Sequence, residues 1–467
     1  MMRIVRSQRS PRRLLAHLIR PFALVLTLAV TFAGMNFFAP QSAAVHAAPP
    51  DPAAPDIAER YQPDRIRWQP CPENQALECG TLRLPVDYNK LRGETFDMAV
   101  IRAKVTDPSK RIGVLMALPG GPGQSGVNFV LGGIQLGAPI IARLRERFDL
   151  VSFDPRGVAR SHPATCNLEP AGQPPQDAAA LVTFFDDFSR RVAQACFDQH
   201  GPFVLSMSTN NIVRDVDTLR RSLGEKQVSI YGGSYGSVTG SAYVSRFPQR
   251  VRALVLDGGV APDFSDYWVE WTLEQAQSFE LTLRYVDQRC QRDQACTLHD
   301  TGVVATLDAV IARLQAEPVP VPDGTMLTAT DVQNVTAALL YNEQQFPLLV
   351  QALTNARDGD YALFFELLPA TRSLIRLALT TATFDAYDIT ICNDYGTRRS
   401  AAETLPVDEA SALLMPHFWG RFYLAGEVAR CAAWPAADPP VIRNVQHRLA
   451  TPIMLIGNHF DPATPLN

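Results

Sequence analysis

The sequence predicts an α/β fold, a mostly parallel sheet with a helical cap inserted ahead of its last strand. Three observations carry this. Short apolar runs recur at 112–118, 148–153, 228–231, 251–257 and 452–457, as strands of a parallel sheet buried on both faces require. Stretches of helical spacing separate several of them, which is the alternation of an α/β domain. From about 261 to about 440 helix-like spacing dominates instead, as in Trp268, Trp271, Leu273, Phe279, Leu283 and Val286.

Taken in order, residues 1–47 read as a signal peptide. Arg3, Arg6, Arg9, Arg12, Arg13 and Arg20 precede an apolar stretch from Pro21 to about Phe38, and Val45-His46-Ala47 offers small residues at the cleavage spacing. Its removal takes away six arginines and no acid, so the net charge moves from -4 to -10. Such an acidic chain is a poor partner for nucleic acid. No later run is long and charge-free enough for a stable membrane span. An extension follows at 48–78, rich in proline and alanine at its start. The first part of the sheet domain is expected at 79–260, beginning with the alternating segments Gly80–Val86 and Phe96–Ile101. Asn210–Leu223 places Ile212, Val213, Val216, Leu219 and Leu223 on one helical face, with Ser208 or Thr209 to cap it and Gly224 to end it. The cap spans 261–440, and 441–467 returns to the sheet through the run at Ile453, expected to be one more buried strand.

The chain has eight cysteines, Cys71, Cys79, Cys166, Cys196, Cys290, Cys296, Cys392 and Cys431. An even count behind an export signal predicts disulfides. Sequence neighbours give the simplest pairing, Cys71 with Cys79, Cys166 with Cys196, Cys290 with Cys296 and Cys392 with Cys431, but spacing alone leaves the connectivity open. A zinc site lacks the close Cys-x-x-Cys and histidine spacings it needs, and no metal or cofactor is expected.

The chemistry concentrates at Gly232-Gly233-Ser234-Tyr235-Gly236. An apolar strand runs into it and a helix runs out, the setting of a nucleophile elbow, in which a serine sits on a sharp turn between strand and helix. Gly120-Gly121-Pro122-Gly123 follows another strand and is placed to give backbone N–H groups to a developing oxyanion. Gly121 and Tyr235 are the expected donors. Asp461, in the loop after the last strand run, is the candidate acid, with Asp257 as its backup. None of His17, His46, His162, His200, His299, His417 or His447 has a matching context for the base. His459 is two residues from Asp461, too close to be oriented by it and also reach Ser234.

Together, Gly120–Gly123, Asp154-Pro155-Arg156-Gly157 with Ser161, the Ser234 pentapeptide with Ser237, and Asp461-Pro462-Ala463-Thr464-Pro465 resemble the prolyl aminopeptidase family of α/β-hydrolases, more closely its secreted tripeptidyl-aminopeptidase branch. The cysteine pattern also resembles that branch. The resemblance spans nearly all the chain after the leader. It implies an exported bacterial serine exopeptidase, secreted or in the cell envelope, that releases short peptides from free N-termini through an acyl-enzyme at Ser234. Two departures stand out in the motifs, Pro119 where family loops often begin with histidine and Ala159 at a usual glycine. A third concerns the end. The family's histidine follows the Asp461 motif by a few tens of residues, after a further strand. The expectation is therefore a C-terminally truncated chain, lacking the final strand and helix and inactive as it stands.

An oligopeptide substrate with a free amine needs a counter-charge. Glu270 and Glu274, four apart on one helix face, are candidates, although such pairs are more often solvated. Two other readings remain open: an esterase or lipase on the same fold, and a non-catalytic binding protein on a hydrolase scaffold.

Overall fold

The computed structural model describes residues 56–167, 175, 177–260, 267–369, 382–395, 398–418, 429–435 and 451–465. The expected leader and all of 441–450, with His447, lie outside the described residues.

Eight strands form one sheet. These are β1 (Gln69–Pro70), β2 (Glu78–Pro85), β3 (Thr95–Ala103), β4 (Gly113–Leu118), β5 (Phe148–Phe153), β6 (Val228–Gly233), β7 (Val251–Asp257) and, after a long helical excursion, the strand Ile453–Ile456. The order across the sheet is β1-β2-β3-β5-β4-β6-β7 followed by Ile453–Ile456. The first three strands pair antiparallel and the rest run parallel. Parallel neighbours need crossovers. Helices α1 (Gly126–Gln135), α2 (Pro139–Arg145), α3 (Ala178–His200), α4 (Thr209–Ser222) and α5 (Tyr235–Arg246) supply them. Every residue of β4 is buried, as its unbroken apolar run requires.

The strand Ile453–Ile456 departs from expectation. Its residues are exposed, Leu455 at 63%. The reason is position: among the described residues it is the last strand in the sheet order and pairs only with β7.

Between β7 and that strand, the described residues are mainly helical: α6 (Tyr267–Arg292), α7 (Val303–Ala316), α8 (Ala329–Leu340), α9 (Phe346–Arg357) and, further on, α10 (Ala382–Asp394) and α11 (Ala401–Leu414). Phe279, Leu283, Leu307, Val332, Leu349 and Phe364 pack into a core separate from that of the sheet. The cysteines pair as Cys71–Cys79, Cys166–Cys196, Cys290–Cys296 and Cys392–Cys431, and none is free.

The Asp154 motif braces the sheet. Arg156 is 1% exposed and grips Asp215 of α4 through two hydrogen bonds of 2.8 and 2.7 Å, while its remaining N–H groups reach the carbonyls of Val86 and Ser206. A buried guanidinium persists only with such full pairing. Ser161 receives the N–H of Ala99 and donates to the carbonyl of Asp154, pinning the loop to β3. Ala159 sits at φ 42. The chain therefore keeps the left-handed turn of the usual glycine and bears the steric cost of a Cβ there.

Candidate active site

Ser234 lies at the C-terminal end of β6, in the middle of the sheet, with φ 53 and ψ -127. Non-glycine residues rarely hold a positive φ, and keeping one costs about 1–3 kcal/mol. The surroundings enforce it. The N–H of Ser234 donates to the carbonyl of Asp257 at 2.8 Å, and its carbonyl accepts from Ser237 at 2.8 Å. Gly232 and Gly236 make the turn possible. A Cβ on Gly232 would stand 2.3 Å from the Gly236 oxygen, and one on Gly236 would stand 2.4 Å from the Leu118 oxygen. The sequence therefore folds here into a strand–serine–helix elbow.

The glycine-rich loop belongs to the same place. A Cβ on Gly120 would be 3.2 Å from the Cβ of Ser234. Asp154 holds the far side of this loop: it accepts from the Ser125 hydroxyl, the N–H of Val127 at 3.1 Å and that of Arg160 at 3.1 Å. Ser125 in turn caps α1. Tyr235 opens α5, and the positive end of that helix points toward Ser234.

The phenol of Tyr235 ties this donor to the cap. It donates to Asp394 of α10 at 2.7 Å, and the other oxygen of Asp394 accepts from the N–H of Thr209 at 2.8 Å. The neighbouring Asn393 donates to the carbonyls of Val204 and Met207 and accepts from Trp434. The Cys392–Cys431 disulfide adjoins this network. Sequence reasoning missed Asp394. Its only signal was an Asn-Asp pair beside a cysteine, at the end of a helix that carries other aspartates.

Asp461 sits in a tight turn. One carboxylate oxygen accepts from the N–H groups of Ala463 and Thr464, at 3.0 and 2.9 Å, and the other from the Thr464 hydroxyl at 2.8 Å. Thr464 packs against Gly258, where a Cβ would be 2.6 Å from its hydroxyl. The carbonyl of the preceding Asp257 receives the N–H of Ser234. Two short links thus bring the Asp461 turn and the elbow to the same edge of the sheet. Asp257 itself accepts from Tyr231 at 2.9 Å. Burial first, then this hydrogen bond, pushes the Tyr231 hydroxyl up to about 12, so it stays a donor.

The cap reaches the same loop. On α6, Ser278 donates to the Asp461 carbonyl at 2.8 Å and Gln275 to that of Ala463 at 2.9 Å. Glu274 lies beside Gln275 and Glu270 one turn earlier. Both are half-buried.

The histidines have other partners. His162 packs on His200 and Phe203, His200 bonds Thr165, and His299 pairs with Asp300. His459 is exposed. Among the described residues, no histidine hydrogen-bonds Ser234 or Asp461. His417, unplaced by the sequence, proves to be a cap clamp. Its Nδ1 meets Glu280 of α6 at 2.8 Å and its Nε2 meets Asp308 of α7 at 2.9 Å. Burial disfavours the imidazolium, but Glu280 and then Asp308 outweigh it and hold the pKa above its usual value. A raised histidine pKa stabilises fully below the unfolded value of about 6.5 and loses that stabilisation as pH rises through the folded value. The protein is therefore expected to lose stability above neutral pH by an amount that His417→Ala removes. Urea midpoints of both proteins across that range measure it, and parallel curves would refute it.

A mostly parallel sheet, a serine elbow in its centre and an acid turn after its last strand define the α/β-hydrolase class. Residues 113–307 match the family model for the alpha/beta hydrolase fold, and residues 416–467 match that for TAP-like proteins. The chain is 30% identical to "Carboxylesterase B" of Mycobacterium tuberculosis, over 89% of this chain and 81% of that protein. It is 29% identical to "Serine protease Hip1" of the same species, covering 88% and 82%. It is 27% identical to "Tripeptidyl aminopeptidase" of Streptomyces lividans, covering 86% and 76%. The chain belongs to the TAP-like branch of the α/β-hydrolases and is a serine-peptidase-like hydrolase.

Proposed function

We propose that this protein is an extracytoplasmic serine exopeptidase that releases short peptides from free N-termini. Ser234 attacks the scissile carbonyl, and the N–H groups of Tyr235 and Gly121 receive the oxyanion. Asp461 orients a histidine supplied from outside the described residues. The observation that carries this reading is the forced positive φ of Ser234 with the Gly120 loop against it. Such strain is kept where it serves a reaction. A hydroxyl on this turn is exposed to substrate, and backbone donors there stabilise charge that develops only in the transition state.

The exopeptidase mode rests on α6. Gln275 and Ser278 of this helix bond the Asp461 turn, and their neighbours Glu270 and Glu274 are half-buried, which supports the reading that these carboxylates hold a substrate ammonium. Four disulfides support an extracytoplasmic setting.

The carboxylesterase relative favours one alternative, an esterase on the same site. Peptide binding separates the two. Calorimetry with a short peptide amide, free and N-acetylated, is expected to show at least tenfold weaker binding of the blocked form. Glu270→Gln and Glu274→Gln together should erase that difference. Equal binding of both peptides would favour the esterase.

A further inference from the structure

The corner between α1 and α2 is unlike the rest of the surface. From Gly121 to Ala142 the chain carries no charged side chain. Leu136 is 86% exposed, Ile140 61%, Phe129 50% and Ile112 42%. Gly137, at φ 63, turns the chain between the helices, so Leu136 and Ile140 flank the tip of the corner. Ile112 opens the approach to β4 at the same end of the sheet, where its N–H meets the carbonyl of Arg147 at 2.7 Å.

Arginines follow at once: Arg143, Arg145 and Arg147, against the single acid Glu146. Arg145 and Arg147 spend their Nε–H groups on the carbonyls of Lys104 and Lys110, not on carboxylates. The acids nearby are already engaged by bases of their own. Asp107 pairs with Lys110, Glu78 with Lys104 and Arg102, and Asp149 and Glu225 with Arg111. An apolar tip behind a cationic rim, on a chain whose formal charge is -4, is a local inversion of the molecule's field.

We infer that this corner is a peripheral docking site for an anionic phospholipid surface. Leu136 and Ile140 enter the headgroup boundary, and Arg143, Arg145 and Arg147 meet the phosphates. A spanning role does not fit. The two helices are apolar enough to cross a membrane only when taken together, and they are bent by 105° to each other. Docking would also orient the molecule. The tip lies at the N-terminal end of the parallel strands, and Ser234 lies at the other end of β6, roughly 20 Å away by strand rise. The Ser234 end would then face away from the lipid, open to peptides in solution.

The test uses Pro49–Asn467, a compact unit on its own that lacks the apolar N-terminal stretch. It is co-sedimented with vesicles of phosphatidylglycerol mixed with phosphatidylcholine, and with vesicles of phosphatidylcholine alone. Binding is expected to the first and not the second, and to weaken with added salt. Leu136→Glu with Ile140→Glu should lower partition by at least about tenfold, since each buried side chain is worth more than that factor. Both positions are exposed, so the fold tolerates the change, and circular dichroism verifies this. Arg143→Ala with Arg147→Ala should reduce binding to the anionic vesicles alone. Absence of vesicle binding, or binding unchanged in the glutamate variant, overturns the inference. So does a dimer in sedimentation equilibrium that the glutamate variant abolishes, which would make a second copy the occupant.

Discussion

Ser234→Ala is expected to lower cleavage of N-terminal peptide substrates to near the background rate. The argument rests on protons. A serine hydroxyl is a weak nucleophile at neutral pH and needs a base within hydrogen-bond reach. The described histidines are committed elsewhere: His417 to Glu280 and Asp308, His200 to Thr165, and His299 to Asp300. His459 shares the turn of Asp461, whose carboxylate is already occupied by Ala463 and Thr464. Loss of the histidine from the subtilisin triad lowers turnover by a factor of about two million, or roughly 8–9 kcal/mol of barrier. In a catalytically competent form of the protein Ser234→Ala should abolish hydrolysis, as loss of the serine does in that triad, and His459→Ala should leave it intact. Release of a chromogenic amine from a tripeptide substrate measures both. Turnover lost on His459→Ala would make His459 the base and overturn the proposed arrangement.

The sheet was legible because its strands are unbroken apolar runs. Phe148–Phe153 and Val251–Asp257 read off the sequence with the bounds they have in the structure. The elbow was legible because only glycine fits at 232 and 236, so a steric requirement became a letter pattern. The Asp154 motif was visible as a resemblance, but its work was not. That Arg156 reaches Asp215, and that Ser161 bridges β3 to the Asp154 carbonyl, depends on side chains far apart in sequence. The run at Ile453 taken alone pointed to burial, and the exposure of Met454 and Leu455 follows only from what lies beside it. Apolar composition states a preference for burial, whereas burial itself depends on what lies beside the strand. His417 and Asp394 were invisible for the same cause. Each has a partner more than 100 positions away, and neither belongs to a local motif.

Asp394→Ala is expected to damage both stability and turnover, because one carboxylate serves both. Asp394 is 1% exposed and spans two elements, receiving the Tyr235 phenol at 2.7 Å and the Thr209 N–H at 2.8 Å. Removing it leaves two buried donors without this acceptor, at about 1–3 kcal/mol each. The Thr209 hydroxyl, 3.4 Å from the phenol, is too distant to replace it well. The functional part follows from where Tyr235 sits. Its N–H is the proposed oxyanion donor, and its side chain is the anchor that sets the first turn of α5. If the anchor slips, the donor moves, and losing one such donor costs about 10²–10³ in turnover. Because the oxyanion exists only in the transition state, the fall belongs in kcat, with KM little changed. Asp394→Asn keeps the size and one carbonyl acceptor, so it should recover most of the stability and part of kcat. The measurements are a urea midpoint and steady-state kinetics on a catalytically competent form of the protein, for wild type and both variants. A lower midpoint in Asp394→Ala with kcat intact would leave Asp394 a brace between α10 and α4 and nothing more. Loss of kcat that Asp394→Asn restores would make it the residue through which the cap holds the oxyanion donor in place.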